Sequence, residues 1–282
     1  MNNTNQEFKF FWVVALRSEA NALIKKFNLK SFSNHCNFPI YINRKNGHAL
    51  VISGVGSIKS AVATMYLNKT FNPGQVVAWI NIGIAGHFQG PVGTLFQAIK
   101  VVNNDNGKSF FPGLRFSKLA KAAELYTVSS PENEFTLPVL YDMEAAGFCE
   151  IAPSLSCNEL TFVLKIVSDT SEQSQSLITK KMIADLFNKN SDMIDNLLQA
   201  VVKIVDRERA RLGDPIEMDG IMCSLHFTET NRLRFRKIYK KWWCLFPNKS
   251  LADRAQKASS AHDLMQSMEL DIATEAKSWK LK

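Results

Sequence analysis

What this chain of 282 residues lacks narrows its classes before any motif is read. Its five cysteines (Cys36, Cys149, Cys157, Cys223, Cys244) are scattered, odd in number and never in a CxxC arrangement. That argues against a disulfide framework or a zinc site, and for reduced thiols in a cytoplasm. The five histidines form no HExxH or HxxxH pair, so neither a metal nor a cofactor is expected. No apolar run approaches the ~20 residues needed to cross a bilayer. The opening stretch MNNTNQEFKFFWVVALRSEA has no positively charged start, and its apolar part ends at Arg17 and Glu19 after about nine residues. The expectation is a cytoplasmic chain without a signal peptide or a transmembrane segment. Internal repeats and low-complexity tracts are missing too. Acid is missing locally: from Arg232 to Lys249 there are seven Lys or Arg and no Asp or Glu, in a chain of net charge +8.

What is present is a core. At 46% apolar and 21% charged, the composition is that of a globular protein, long enough for one large α/β domain with an appendage or two modest domains. Residues 8–17 read as a first strand and 18–27 as the helix after it, with Ser18 as N-cap and Ala22, Leu23 and Phe27 facing in. FPIYINRKNGHALVISGVG reads as a hairpin turning at Asn46-Gly47 and ending in a glycine loop, Gly54 and Gly56. SIKSAVATMYLNKTF has helical spacing, with Ala61 and Ala63 facing in and Asn72-Pro73-Gly74 stopping it. Residues 75–86 form the most buried-looking strand, and GPVGTLFQAIKVVNND gives one more. The stretch 106–138 reads as a long loop or loosely packed excursion with one short strand, AELYTVSS. YDMEAAGFCEIAPSL starts a helix with two acids in its first turn, where the helix dipole favours negative charge. Residues 160–169 form a strand, and one long helix or two in tandem follow, closed by Gly213 and Pro215.

Strands alternating with helices, with glycine turns at strand ends, predict an α/β fold: a central mixed, mostly buried sheet flanked by helices, with a helical C-terminal extension. The expected division is 8–213 and 214–282. Ligands in such folds bind at the carboxyl ends of the strands, where Gly54, Gly56, Gly83, Gly86 and Asp169 fall.

Several of these residues carry two readings. Asp169, at the mouth of the apolar strand LTFVLKIVSD, is either a turn cap or a carboxyl whose pKa burial raises until it can donate a proton. Glu144 either complements a helix dipole or binds a ligand, and Glu19 is either a solvated helix residue or a carboxylate in the cleft. Met143 alone would be core. Phe135 fits core packing and ligand stacking equally.

VVALRSEANAL, ISGVGSIKSAVAT, WINIGIAGHFQGPVGTLFQAIKV, YDMEAAGFCEIA and KIVSDTSEQS occur in this order across residues 8–213. Together they resemble the nucleoside phosphorylase/nucleosidase superfamily, and within it the methylthioadenosine/S-adenosylhomocysteine nucleosidases. The resemblance implies an N-ribosyl hydrolase of purine nucleosides or thionucleosides. It places Glu19 as the carboxylate activating the attacking water, Glu144 on the ribose hydroxyls with Met143 packing under the sugar, and Asp169 as the acid protonating purine N7. Ser168 and Gly86 belong to the substrate-binding set it implies, and Phe135 is the candidate base-stacking ring. It also implies self-association, as a dimer or larger ring. The chemistry suits these types: a carboxylate near the sugar favours the cation that develops there, and an acid near the base neutralises the leaving group.

The chain departs from the family in two places. Ile84-Ala85-Gly86-His87 stands where the nucleosidases carry Ser-Ala-Gly-Gly, a version closer to futalosine hydrolases. The loop SSPENEFTLPVLY is shorter than the family's base-binding segment. A phosphate-dependent phosphorylase is the near alternative, disfavoured because no arginine leads into the glycine strand end and Glu19 would repel phosphate. A non-catalytic nucleoside-binding or nucleic-acid-associated protein is the alternative from another class. It would use the basic stretch 232–249, where Phe235, Ile238, Trp242 and Phe246 share one helical face and Arg232, Arg236 and Lys240 another. A helix docked on the main domain with a solvated basic face, or a membrane-surface helix, fits the same pattern.

Overall fold

The computed structural model describes residues 8–32, 38–71, 76–132, 135–171, 178–212 and 217–279. The expected helix stop at 72–74 and domain limit at 213/214 fall outside these residues. The chain divides into two compact units, 1–206 and 207–282. No described helix is long and apolar enough to cross a membrane.

The first unit is α/β, with the order β1 (Phe10–Val14), α1 (Arg17–Lys26), β2 (Lys30–Ser31), β3 (Ile40–Asn43), β4 (His48–Ile52), α2 (Ser57–Phe71), β5 (Ala78–His87), β6 (Leu95–Asn103), β7 (Ser109–Phe110), β8 (Lys121–Thr127), β9 (Leu140–Asp142), α3 (Ala145–Leu155), β10 (Thr161–Thr170), α4 (Lys180–Lys189) and α5 (Ser191–Leu212). Strand β5 lies at the centre, parallel to β1 on one side and to β10 on the other. β1 continues into parallel β4, and β4 into the β3 hairpin, where Gly47 takes φ 72° at the turn. On the far side β10 pairs with β6, β6 with β8, β8 with β9, and β9 returns to the end of β5. Those five strands close on themselves.

A sheet buried on both faces needs strands that are apolar throughout, which is why β1 reads FFWVV without a break. Alternation sends Phe11 and Val13 to a core beneath α2 and α3, and Phe10, Trp12 and Val14 to a second core beneath α1, α4 and α5.

The structure amends several local expectations. The N-cap of α1 is Leu16, and Ser18 lies inside the helix. On α2 Ala63 is buried with Ser60, Thr64 and Leu67, while Ala61 is half-buried. The stretch 106–138 is not an excursion: it supplies β7 and β8, and β8 is an interior strand between β6 and β9. Its exposed start and alternating half-buried pattern carry too few large apolar residues to announce this. The first turn of α3 holds no acid, because Asp142 ends β9 and Glu144 is the N-cap. The tandem reading of the later helix holds, with α4 and α5 meeting at Asn190.

The described part of the second unit is helical: α6 (Glu217–Ser224), α7 (Glu229–Leu245), α8 (Ala252–Lys257) and α9 (Ala261–Trp279). The aromatic face of α7 packs inside its own unit. Phe235, Tyr239 and Trp242 are buried within the unit's own core, with Met218, Leu251, Leu264 and Met268.

In the first unit, buried His48 sits among Trp12 and Phe27, and Trp12 Nε1 donates to His48 Nδ1 at 3.0 Å. Burial pushes its pKa from 6.5 down to about 4. Between those values the unfolded chain takes up a proton that the folded chain refuses. The contribution is therefore complete above pH 6.5 and is lost as pH falls toward 4, on the order of 3 kcal/mol at most. Urea unfolding at pH 7 and pH 4.5 should show a steeper acid loss for the native chain than for His48→Gln, which keeps an acceptor for Trp12. Equal losses would show that His48 is not the group responsible.

Candidate active site

The closed part of the sheet brings the ends of β5, β9 and β10 together: Gly86 pairs with Tyr141 on one side and with Asp169 on the other. The pairing of β10 with β5 skips Ser168, so the strand carries a bulge there. Successive strand residues ordinarily point to opposite faces, and the bulge turns both Ser168 and Asp169 into one cleft. That cleft encloses about 570 Å³ of empty space, its open mouth included. Its walls contain all seven residues picked out in the sequence: Glu19, Gly86, Phe135, Met143, Glu144, Ser168 and Asp169.

Glu19 is buried in the first turn of α1. Its Oε2 accepts from Leu16 N–H at 2.8 Å, satisfying the helix end that Ser18 was expected to cap, and its Oε1 accepts from Ile84 N–H at 2.8 Å. A Cβ on Gly83 would lie 2.8 Å from that Oε1, so glycine there leaves room for the carboxylate. Burial raises the pKa of Glu19, against the two backbone donors and Lys165, which favour the ionised form.

Glu144 reaches away from its own helix, accepting from Gly56 N–H at 3.0 Å in the glycine loop before α2. The dipole reading therefore gives way to a bridge between two elements. Burial foremost, and the neighbouring Asp142 carboxylate next, push its pKa up to about 7. Gly147, one turn into α3, lets this helix approach α2: a Cβ there would fall 1.8 Å from Ser57 O.

Asp169 is buried, and burial raises its pKa while the Ser168 hydroxyl, donating to its Oδ1, holds it back. Gly86 completes this corner. A Cβ there would lie 2.3 Å from the Phe135 ring and 3.0 Å from Asp169 Oδ2. Phe135, at φ 44°, packs edge-on to Tyr141 with centroids 5.5 Å apart and belongs to a small cluster with Val128 and Val139. It is both core and cleft wall. Met143 is half-buried against the same cluster.

Two partners escaped the sequence reading. Lys165, the single charge in the apolar run of β10, is buried and forms an ion pair with Asp142 at 2.7 Å. Asp142 also accepts from Thr127 Oγ1 at 2.7 Å and Ala145 N–H at 2.9 Å, so it caps α3. Burial would lower the pKa of Lys165, but Asp142, Glu144 and Glu19 together hold it above the usual value. A lone lysine in a strand buried on both faces was the available signal, since such a charge requires a buried counter-ion. Among the described residues no Lys or Arg lines the cleft itself. Arg17 is engaged elsewhere, over the Tyr41 ring at 4.7 Å. Among the described residues no cluster of His, Cys, Asp and Glu is arranged to hold a metal ion.

No protein-family model matches the chain, and no curated protein sequence matches it. Solved structures do. The 5'-methylthioadenosine/S-adenosylhomocysteine nucleosidase of Colwellia psychrerythraea, in complex with adenine, superposes with a TM-score of 0.57 at 18% identity, covering 69% of this chain and 96% of that one. The 5'-methylthioadenosine nucleosidase of Arabidopsis thaliana gives 0.54 at 18% identity, covering 71% and 96%. The nucleosidase of Campylobacter jejuni gives 0.54 at 15% identity, covering 66% and 96%. The chain therefore has a nucleoside phosphorylase/nucleosidase-like fold, followed by a helical C-terminal part.

Proposed function

We propose that the cleft binds a purine nucleoside or 5′-thionucleoside and hydrolyses its N-ribosidic bond, releasing the free base. One observation carries the reading: three buried carboxyl groups with raised pKa values, Glu19, Glu144 and Asp169, line one cleft with no cation among the described residues of its walls.

Breaking the C1′–N9 bond sends its electron pair to the base and leaves positive charge on the sugar. Asp169, whose proton affinity burial raises, gives its proton to N7 as the pair arrives. Water then attacks C1′, and Glu19 takes the proton it sheds. The Glu19 carboxylate also stabilises the developing cation, and its two backbone donors and Lys165 favour its ionised form against burial. Glu144 accepts from the ribose hydroxyls, and the base stacks on Phe135 above Gly86. Water is favoured over phosphate because a dianion would enter a cleft with buried acids and no arginine. The free thiols Cys149, Cys223 and Cys244 fit a reducing cytoplasm.

The partner we propose is a second copy of the chain. On α2, Ile58 is 81% exposed and Val62 and Met65 continue its apolar stripe at helical spacing, next to exposed Val55 on the cleft wall. Covering that stripe removes large apolar side chains from water.

Three outcomes are expected. Chromatography of a purine nucleoside and methylthioadenosine panel should show base released without phosphate, with Asp169→Asn slower by about 10²–10⁴-fold. Strict dependence on phosphate would move the reaction to phosphorolysis, and no release from any substrate would overturn the proposal. KM should rise as pH drops below about 7, because protonated Glu144 loses acceptor capacity, and Glu144→Gln should flatten that limb. Finally, light scattering should find a dimer for the native chain and a monomer for Ile58→Asp/Val62→Asp. A native chain that is already monomeric would refute the pairing.

A further inference from the structure

The second unit holds a charged surface that the nucleosidase reading does not use. Helix α7 buries Phe235, Ile238, Tyr239 and Trp242 on one side. At about 100° per residue, its cations Arg232, Arg234, Arg236, Lys237, Lys240 and Lys241 spread over roughly 200° of the opposite side. All six are exposed. Arg234 is closed by Glu269 at 2.9 Å, and Arg232 stands 3.9 Å from Glu229. Arg236, Lys237 and Lys241 have no carboxylate partner among the described residues. Arg236 with Lys240, and Lys237 with Lys241, make two adjacent rows with about 6 Å between successive charges.

The helix under these charges is held firmly. Trp242 Nε1 donates to Asp271 Oδ2 at 2.8 Å, and Arg254 pairs with the same oxygen at 2.7 Å, so α7 and α8 are tied to α9. A fixed double row of cations is arranged before any partner arrives, which lowers the entropy cost of association. A membrane surface is a poor match, because a helix lying in a bilayer inserts its apolar face, and here that face is the unit's core. On the cationic side the exposed large apolar residue is Leu233. A chain of regularly spaced phosphates fits both the sign and the repeat.

We propose that the exposed face of α7 docks the phosphodiester backbone of a nucleic acid, through Arg236, Lys237 and Lys241 with Lys240 and Arg232 beside them. Binding is independent of sequence, since phosphate contacts position a strand without reading bases. The aromatics Phe235 and Trp242 take no part, being buried.

The test is fluorescence anisotropy of the full chain with labelled duplex DNA and, separately, labelled single-stranded RNA, at about 50 and 200 mM salt. Neutralising about four phosphates predicts an affinity loss on the order of a hundredfold on the duplex and about fiftyfold on the single strand across that range. The variant Arg236→Ala/Lys237→Ala/Lys241→Ala should bind at least tenfold more weakly at the lower salt and lose most of the salt dependence. A matched variant of exposed lysines in the first unit, Lys25→Ala/Lys118→Ala/Lys121→Ala, should bind as the native chain does, with thermal melts confirming that both variants fold. The two nucleic-acid arms show which form is preferred. Absence of binding to either at low salt, or undiminished binding by the α7 variant, overturns the proposal. So does association with phosphatidylserine vesicles and with neither nucleic acid. Each result is independent of base release, so the surface and the cleft stand or fall separately.

Discussion

A single ammonium group, Lys165 Nζ, is the positive charge around which the acidic interior of the first unit is organised. It is buried on β10, pairs with Asp142, and its field reaches Glu19 and Glu144. Burying one charge among three acids cannot neutralise them all, so the excess is met by backbone donors and by raised affinity for protons. Burial foremost, with neighbouring carboxylates adding to it, raises the pKa of Glu19 and takes that of Glu144 to about 7. Removing one member of a buried pair typically costs about 3–5 kcal/mol, because the remaining charge is stranded. The pair therefore binds stability and the proposed chemistry to the same two side chains.

Much of the first unit was legible in the sequence because a sheet buried on both faces writes itself as unbroken apolar runs. β1, β5 and β10 announce themselves in this way, and the polar residues at their ends stand out against them. Asp169 stood out for that reason, whereas Glu19 and Glu144 were singled out by the resemblance that five motifs in register carry. Their settings were not legible. Glu19 closes its own helix through Leu16, but its other oxygen is held by Ile84, 65 residues away, and the convergence of Ser168 and Asp169 depends on a bulge that alternation alone would not suggest. β8 was read as a short strand inside a loose excursion because its start is exposed and its pattern half-buried, so its interior place follows from its neighbours.

In the second unit the same seven cations and interleaved aromatics left a nucleic-acid patch, a docked helix and a membrane-surface helix all open, because local pattern cannot tell an exposed ring from a core ring. The answer lies in α9, whose Leu264, Met265 and Met268 meet the aromatics of α7. Once Trp242 is committed to Asp271, charge is what the outer face has left to offer.

The glycine at position 147 carries a lesson for anyone reshaping this protein. By helix propensity alone it is a weak point, about 1 kcal/mol poorer than alanine, and a stabilisation campaign would choose it early. Yet its hydrogen faces the carbonyl of Ser57, the first residue of α2, with no space for a methyl group. The replacement that strengthens α3 as an isolated helix would wedge it off α2, and Glu144, at the hinge of that wedge, would be drawn from the amide of Gly56. Local rigidity and site geometry are antagonists at this position, so a thermostable descendant of this chain would have to find its stability elsewhere.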